Sequence, residues 1–93
     1  METKLHSKDE LMKCLVNRLK EELLDVDTYN SLYESLKAHG MHDEAAEIEE
    51  IARDEFSHAE AIADMLEEHE YNLDNDQEIM SLWHKARRAF NMD

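Results

Sequence analysis

Three residues of the chain, Glu22, Glu55 and His58, have the types and the spacing to hold metal ions. Glu55 and His58 form a Glu-x-x-His pair. On a helix, residues three apart project from one face. The carboxylate could then bridge two metals while the imidazole binds one terminally. Mixed oxygen and nitrogen donors suit iron, manganese or zinc. A Glu-x-x-His pair alone arises by chance on any acidic helix, so its setting matters more than its occurrence. In the first half of the chain an apolar face runs Leu15, Leu19, then Glu22, then Val26 and Tyr29. In the second half it runs Ile48, Ile51, then Glu55 and His58, then Ile62 and Met65. All three candidates therefore interrupt faces expected to be buried. A buried carboxylate without a partner is costly, so such groups are normally paired or bind metal. The plainer alternative is a core histidine satisfied by the two carboxylates, with no metal.

The elements that must position these residues are helices. The chain has no proline and one glycine, and lacks the turn chemistry of a β fold. It reads as a single all-α domain over residues 1–93, with helices expected at about 8–38, 42–71 and 76–91. Ser7 and Glu10 form a capping box for the first helix. Apolar residues recur there at Leu11, Leu15, Leu19, Val26, Tyr29, Tyr33 and Leu36, and His39-Gly40 supplies the C-terminal stop. The second helix, starting near Met41 to Asp43, carries Ile48, Ile51, Ile62, Met65 and Leu66 and is expected to end near Asn72. Asn75, three residues before Glu78, offers a cap for a shorter third helix bearing Ile79, Leu82, Trp83, Ala86 and Phe90, with Lys85, Arg87 and Arg88 on its polar side. The short connection at Gly40 makes the first two helices antiparallel neighbours. Pairing them about residues 39–40 sets residue 22 opposite residue 57, between Glu55 and His58 and within a turn of both.

The net charge of −14 disfavours nucleic acid and anionic membrane and attracts cations. From Met41 to Asn72 twelve acidic residues stand against one basic residue, Arg53. They read either as a solvated helix face or as a field that gathers metal cations. Cys14, the only cysteine, excludes an intrachain disulfide and, beside Leu11, Leu15 and Val16, is expected to be packed and inert. Met1 to Asp9 does not read as a signal peptide, and no apolar run approaches membrane-spanning length. The expected location is the cytoplasm, or the inside of a protein compartment. The methionines read as filler. His6, His39, His42, His69 and His84 show no ligand spacing, although His69 continues the His58 face. Tyr29 and Tyr33 read mainly as packing, with Tyr29 the candidate for an outer position beside the ligands.

Glu21-Glu22-Leu23, with Tyr29 seven residues beyond Glu22, is followed 33 residues after Glu22 by Glu55 in Ile51-Ala52-Arg53-Asp54-Glu55-Phe56-Ser57-His58-Ala59-Glu60. This pattern resembles the ferritin-like superfamily, in its rubrerythrin-like form, over about residues 10–70. Such bundles use four helices that supply two Glu and two Glu-x-x-His motifs. This chain holds half that set and is similar to the encapsulated ferritins, in which two hairpins pair. The resemblance implies a homodimer, or a higher oligomer of dimers, with Glu22, Glu55 and His58 of each copy around a di-iron site on a twofold axis. It also implies an outer acidic site for approaching metal at Glu21 and Asp25, where Leu24 replaces one of the family's acids. There is no Cys-x-x-Cys pair and hence no rubredoxin-type site. The tail from Lys85 to Asp93 does not resemble a targeting peptide for a host compartment protein.

The expected activity is ferroxidase chemistry: Fe(II) is oxidised to Fe(III) by oxygen or peroxide, for storage or detoxification. The alternative is a non-catalytic helical bundle with a structural or vestigial metal site, docking partners through Trp83 and the basic edge of the third helix.

Overall fold

A computed structural model describes residues 7–90, and among them every regular element is helical. The order is α1 (Lys8–Ala38), α2 (His42–Glu68), a single 3-10 turn (Leu73–Asn75) and α3 (Gln77–Ala89). At the start of α1 the Ser7 hydroxyl accepts from the Glu10 N–H while the Glu10 carboxylate accepts from the Ser7 N–H, so each side chain caps a free donor. At its end Gly40 takes φ 74°, and the Gly40 and Met41 N–H groups donate back to Lys37 and Leu36. This pair of bonds satisfies the last carbonyls and reverses the chain. Helix α1 thus ends where Gly40 predicts, and α2 runs back antiparallel along it.

Two boundaries differ from expectation. Helix α2 stops at Glu68, short of residue 71. Glu70 adopts φ 64°, and Glu70 and Tyr71 donate to Glu67 and Leu66 in the same arrangement as at Gly40. A non-glycine residue does the job of the C-terminal glycine, so no glycine marks the stop. The cap of α3 is Asp76, whose carboxylate accepts from the Ile79 N–H. Asn75 is instead taken up in the 3-10 turn. The last residue of the expected third helix, Asn91, lies outside the described residues.

The core joins Val16, Leu19, Leu23 and Val26 of α1 to Ala52, Phe56, Ala59, Ala63 and Leu66 of α2 and to Ile79, Ala86 and Phe90 at α3. On α2 the inward residues are mostly alanines, with Phe56 and Leu66 the large exceptions. Small side chains let neighbouring helices approach closely, and Phe56 fills the remaining space. Its ring lies 5.4 Å from that of Trp83 and 5.6 Å from that of Phe90, both tilted. The third helix therefore covers its own hairpin. Lys20 pairs with Asp76 and Glu78, and Lys85 with Asp27, tying α1 to both ends of α3. The more exposed of these pairs, Lys20–Glu78 and Lys85–Asp27, contribute little beside the apolar contact.

This packing corrects the sequence reading of α2. Ile51 and Met65 are exposed, and so is Leu11 on α1. Of the stripe expected to face the hairpin, Leu66 is buried and Ile62 packs at the edge of the core, while Ile51 and Met65 turn outward because the Ala52–Phe56–Ala59–Ala63 side makes the closer fit. Cys14, expected to be packed, is exposed. It lies off the Val16–Leu19–Leu23–Val26 side of α1. The Cα trace measures 52 × 34 × 17 Å. Its thinnest extent is about one and a half helix diameters. One broad face of the hairpin carries α3; the other stays open.

Candidate metal centre

The carboxylates of Glu22 and Glu55 and the imidazole of His58 come together between α1 and α2, their ligand atoms all within 4.8 Å of one another. The antiparallel register set by the Gly40 turn brings the two helices' residues to one level, as the sequence implies. Helical periodicity then turns Glu55 and His58 to the same side of α2. Among the described residues this is the one group of three or more potential ligands.

Exposure rises steeply across the three: the Glu22 side chain is 5% exposed, Glu55 20% and His58 63%. Glu22 is the only buried charged residue among those described. It sits on the side of α1 that carries Leu19, Leu23 and Val26 and reaches from there toward α2. His58, expected on a buried face, lies at the open face of the hairpin, for the same reason that exposes Ile51 and Met65. The site is closed from behind by its own chain and open in front.

Hydrogen bonds divide the site unevenly. The His58 ring nitrogen Nδ1 donates to Glu55 Oε1 at 3.1 Å and lies 3.8 Å from Glu22 Oε1, beyond hydrogen-bond reach. Glu22 Oε1 is buried and accepts no hydrogen bond, and no other buried side-chain oxygen or nitrogen among the described residues is left so. A buried carboxylate oxygen in this condition loses the hydration it would have in water without replacement. The other oxygen, Oε2, accepts from Arg18 Nη2 at 2.5 Å, while Arg18 Nη1 donates to Glu21 Oε1 at 3.0 Å.

Electrostatics support the same picture. Burial pushes the Glu55 carboxyl above its ordinary value, and the neighbouring Glu22 pushes it further, by its charge and by the close approach of the two carboxyl groups, with a smaller push from Asp25. The His58 hydrogen bond opposes them without cancelling them. Arg18 reaches only Glu22 Oε2, so the side on which Glu22 Oε1 faces Glu55 has no positive charge beside it among the described residues other than a protonated His58. A cation bound between the two carboxylates would supply it, and the orphaned Glu22 Oε1, the Glu55 carboxylate and the imidazole form a mixed oxygen and nitrogen donor set that suits iron, manganese or zinc.

The outer candidates stand differently. Glu21 and Asp25 are both exposed. Glu21 is engaged with Arg18, and Asp25 is felt at Glu55. Tyr29 is half-buried against the core, two helical turns beyond Glu22, about 10 Å along the axis. Sequence reasoning missed Arg18. Its signal was present, because positions 18, 21 and 22 have the i, i+3 and i, i+4 spacing of helical ion pairs.

The Rubrerythrin family model matches residues 13–89 of the chain. The match extends the resemblance seen in the sequence through α3. No curated protein and no solved structure matches it.

Proposed function

The chain belongs to the rubrerythrin family, a ferritin-like, iron-binding group of di-iron carboxylate domains, and on that premise we propose that it oxidises Fe(II) to Fe(III) at a site shared between two copies of the chain. The observation that carries this reading is the buried Glu22 Oε1, which accepts no hydrogen bond and lies within ligand distance of Glu55 and His58 at the open face.

One copy supplies two carboxylates and one imidazole, half of what a pair of irons takes in a ferritin-like bundle. The open face supports a second copy as the source of the rest. Leu11 lies on the Glu22 side of α1, and Ile51 and Met65 lie on the Glu55–His58 side of α2. They are 46%, 41% and 46% exposed and leave apolar surface uncovered along the same face as the site. A twofold pairing of these faces sets the same residues against each other. It would bury the apolar surround, exclude bulk water from the carboxylates and bring a second Glu22, Glu55 and His58 to the first.

Fe(II) is the substrate in this reading. Each ion gives up one electron, and oxygen or peroxide from solution takes the pair. Glu22, Glu55 and His58 would hold the ions, the two carboxylates supplying hard oxygen donors and the imidazole a nitrogen donor. Hard carboxylate oxygens bind Fe(III) more strongly than Fe(II), which favours the oxidised product. The acidic α2 surface, with Asp25 and Glu21 nearby, raises the cation concentration at the opening.

Rapid mixing of the protein with Fe(II) in oxygenated buffer, followed by the absorbance of ferric product, tests the proposal. His58→Ala and Glu55→Ala should reduce the rate to that of buffer while leaving the helical circular dichroism intact. Wild-type rates in both variants would refute it.

A further inference from the structure

Among the described residues, the lysine or arginine that touches the centre is Arg18, a turn before Glu22 on α1. Its guanidinium is a fork held by two carboxylates of opposite character: Glu22, 5% exposed, and Glu21, 64% exposed. Both contacts raise the guanidinium's pKa above its ordinary value, the Glu22 hydrogen bond most. The fork divides the two oxygens of Glu22. Oε2 turns outward to Arg18, and Oε1 is left facing His58 and Glu55. The Arg18 side chain is itself 56% exposed, so these two contacts, and not packing, hold the charged end in place.

We propose that Arg18 is the counter-ion of the metal centre: it positions Glu22 with one oxygen toward Glu55 and His58, and it would compete with a bound metal for the Glu22 carboxylate, with Glu21 as its remaining partner. The inference rests on the metal-binding reading above and adds a residue that tunes it. An arginine keeps its charge at every physiological pH, so it competes with a divalent cation for the same carboxylate without ever being titrated away. Its long stem lets the head move at little cost, and Glu21, on the adjacent turn, remains a partner after release. Arg18 thus lowers the cost of a buried Glu22 carboxylate before metal arrives and weakens the affinity afterwards. That pairing of effects suits a centre that must release its product.

The test uses the full chain with Co(II), which air does not oxidise in this setting, as the probe. Calorimetric titration gives the affinity, and thermal unfolding is followed in chelator and in saturating Co(II). Arg18→Gln should bind Co(II) about tenfold more tightly, the effect of removing a unit charge roughly 6 Å from a divalent ion in a water-like dielectric. In chelator the same variant should melt below the wild type, and Co(II) should abolish that difference. Glu21→Gln should bind Co(II) more weakly than wild type, because the displaced guanidinium loses its second carboxylate. An Arg18→Gln protein that melts lower by the same amount in both conditions, with wild-type affinity, would make Arg18 merely structural and overturn the inference. Weaker binding by Arg18→Gln would also overturn it. A wild-type protein that takes up no Co(II) would overturn the metal-binding reading, and the role of Arg18 with it.

Discussion

The two broad faces of the α1–α2 hairpin are built from the same kinds of residue to opposite ends. On the face under α3, Phe56, Trp83 and Phe90 interlock, Ile79 is fully buried, and Asp76 caps its helix and pairs with Lys20. On the open face, Leu11, Ile51 and Met65 are uncovered, and behind them lies a buried carboxylate oxygen with no hydrogen bond. Stability is made where contacts are complete. The open face holds what the single chain leaves unsatisfied, both apolar surface and negative charge. Metal and a second copy would satisfy them together.

The sharpest way to break this contrast is to damage the closed face. Phe56→Ala removes the ring that both Trp83 and Phe90 contact, and should cost about 3–5 kcal/mol in urea unfolding of the chelated protein. A loss under 1 kcal/mol would mean that α3 contributes little to the fold. A change on the open face should act on association instead. Met65→Glu places a charge on surface that the chain itself does not bury. Helicity should persist while the mass on a sizing column falls from dimer to monomer. An unchanged mass would show that this face is not the contact.

The smallest effect concerns Glu55. Its carboxyl is raised in the fold above the ordinary 4.5, chiefly by burial and then by the Glu22 charge. For an acid with a raised folded value, the stabilising form is the protonated one. That stability is fully present below the unfolded value and is lost as pH rises through the folded value. In chelator, the stability advantage of Glu55→Gln over wild type should therefore grow across that window and level off above it. A difference independent of pH would place the Glu55 charge in ordinary solvent.

Much of this was legible in the sequence, and the exceptions share a cause. Gly40 announced its turn because glycine has no penalty at positive φ; Glu70 makes the same turn unannounced, since a non-glycine residue is held there by the bonds to Leu66 and Glu67. Glu22 was read as buried, and it is, because both its own stripe and the hairpin register point it inward. His58, Ile51 and Met65 were read as buried from their apolar neighbours. Periodicity finds two candidate faces on α2, and the alanine face wins because it packs more closely against α1 and α3. Of the isoleucine stripe, Ile62 packs against the core and Ile48 is half-buried, and the proposed pairing would cover the exposed Ile51 and Met65. Arg18 escaped notice since ion pairs at helical spacing are common and seldom consequential. The burial of Glu22, which only the fold reveals, gives this one its weight.

The central claim is a dinuclear iron site built from two copies of Glu22, Glu55 and His58. Its most direct test is iron content and mass measured together on the protein loaded anaerobically with Fe(II), by elemental analysis and light scattering on a sizing column. The account predicts about one iron per chain, in a dimer or a multiple of dimers, and its loss in Glu22→Ala. A monomer that retains no iron would contradict it and leave the three residues as a polar cluster satisfied within one chain.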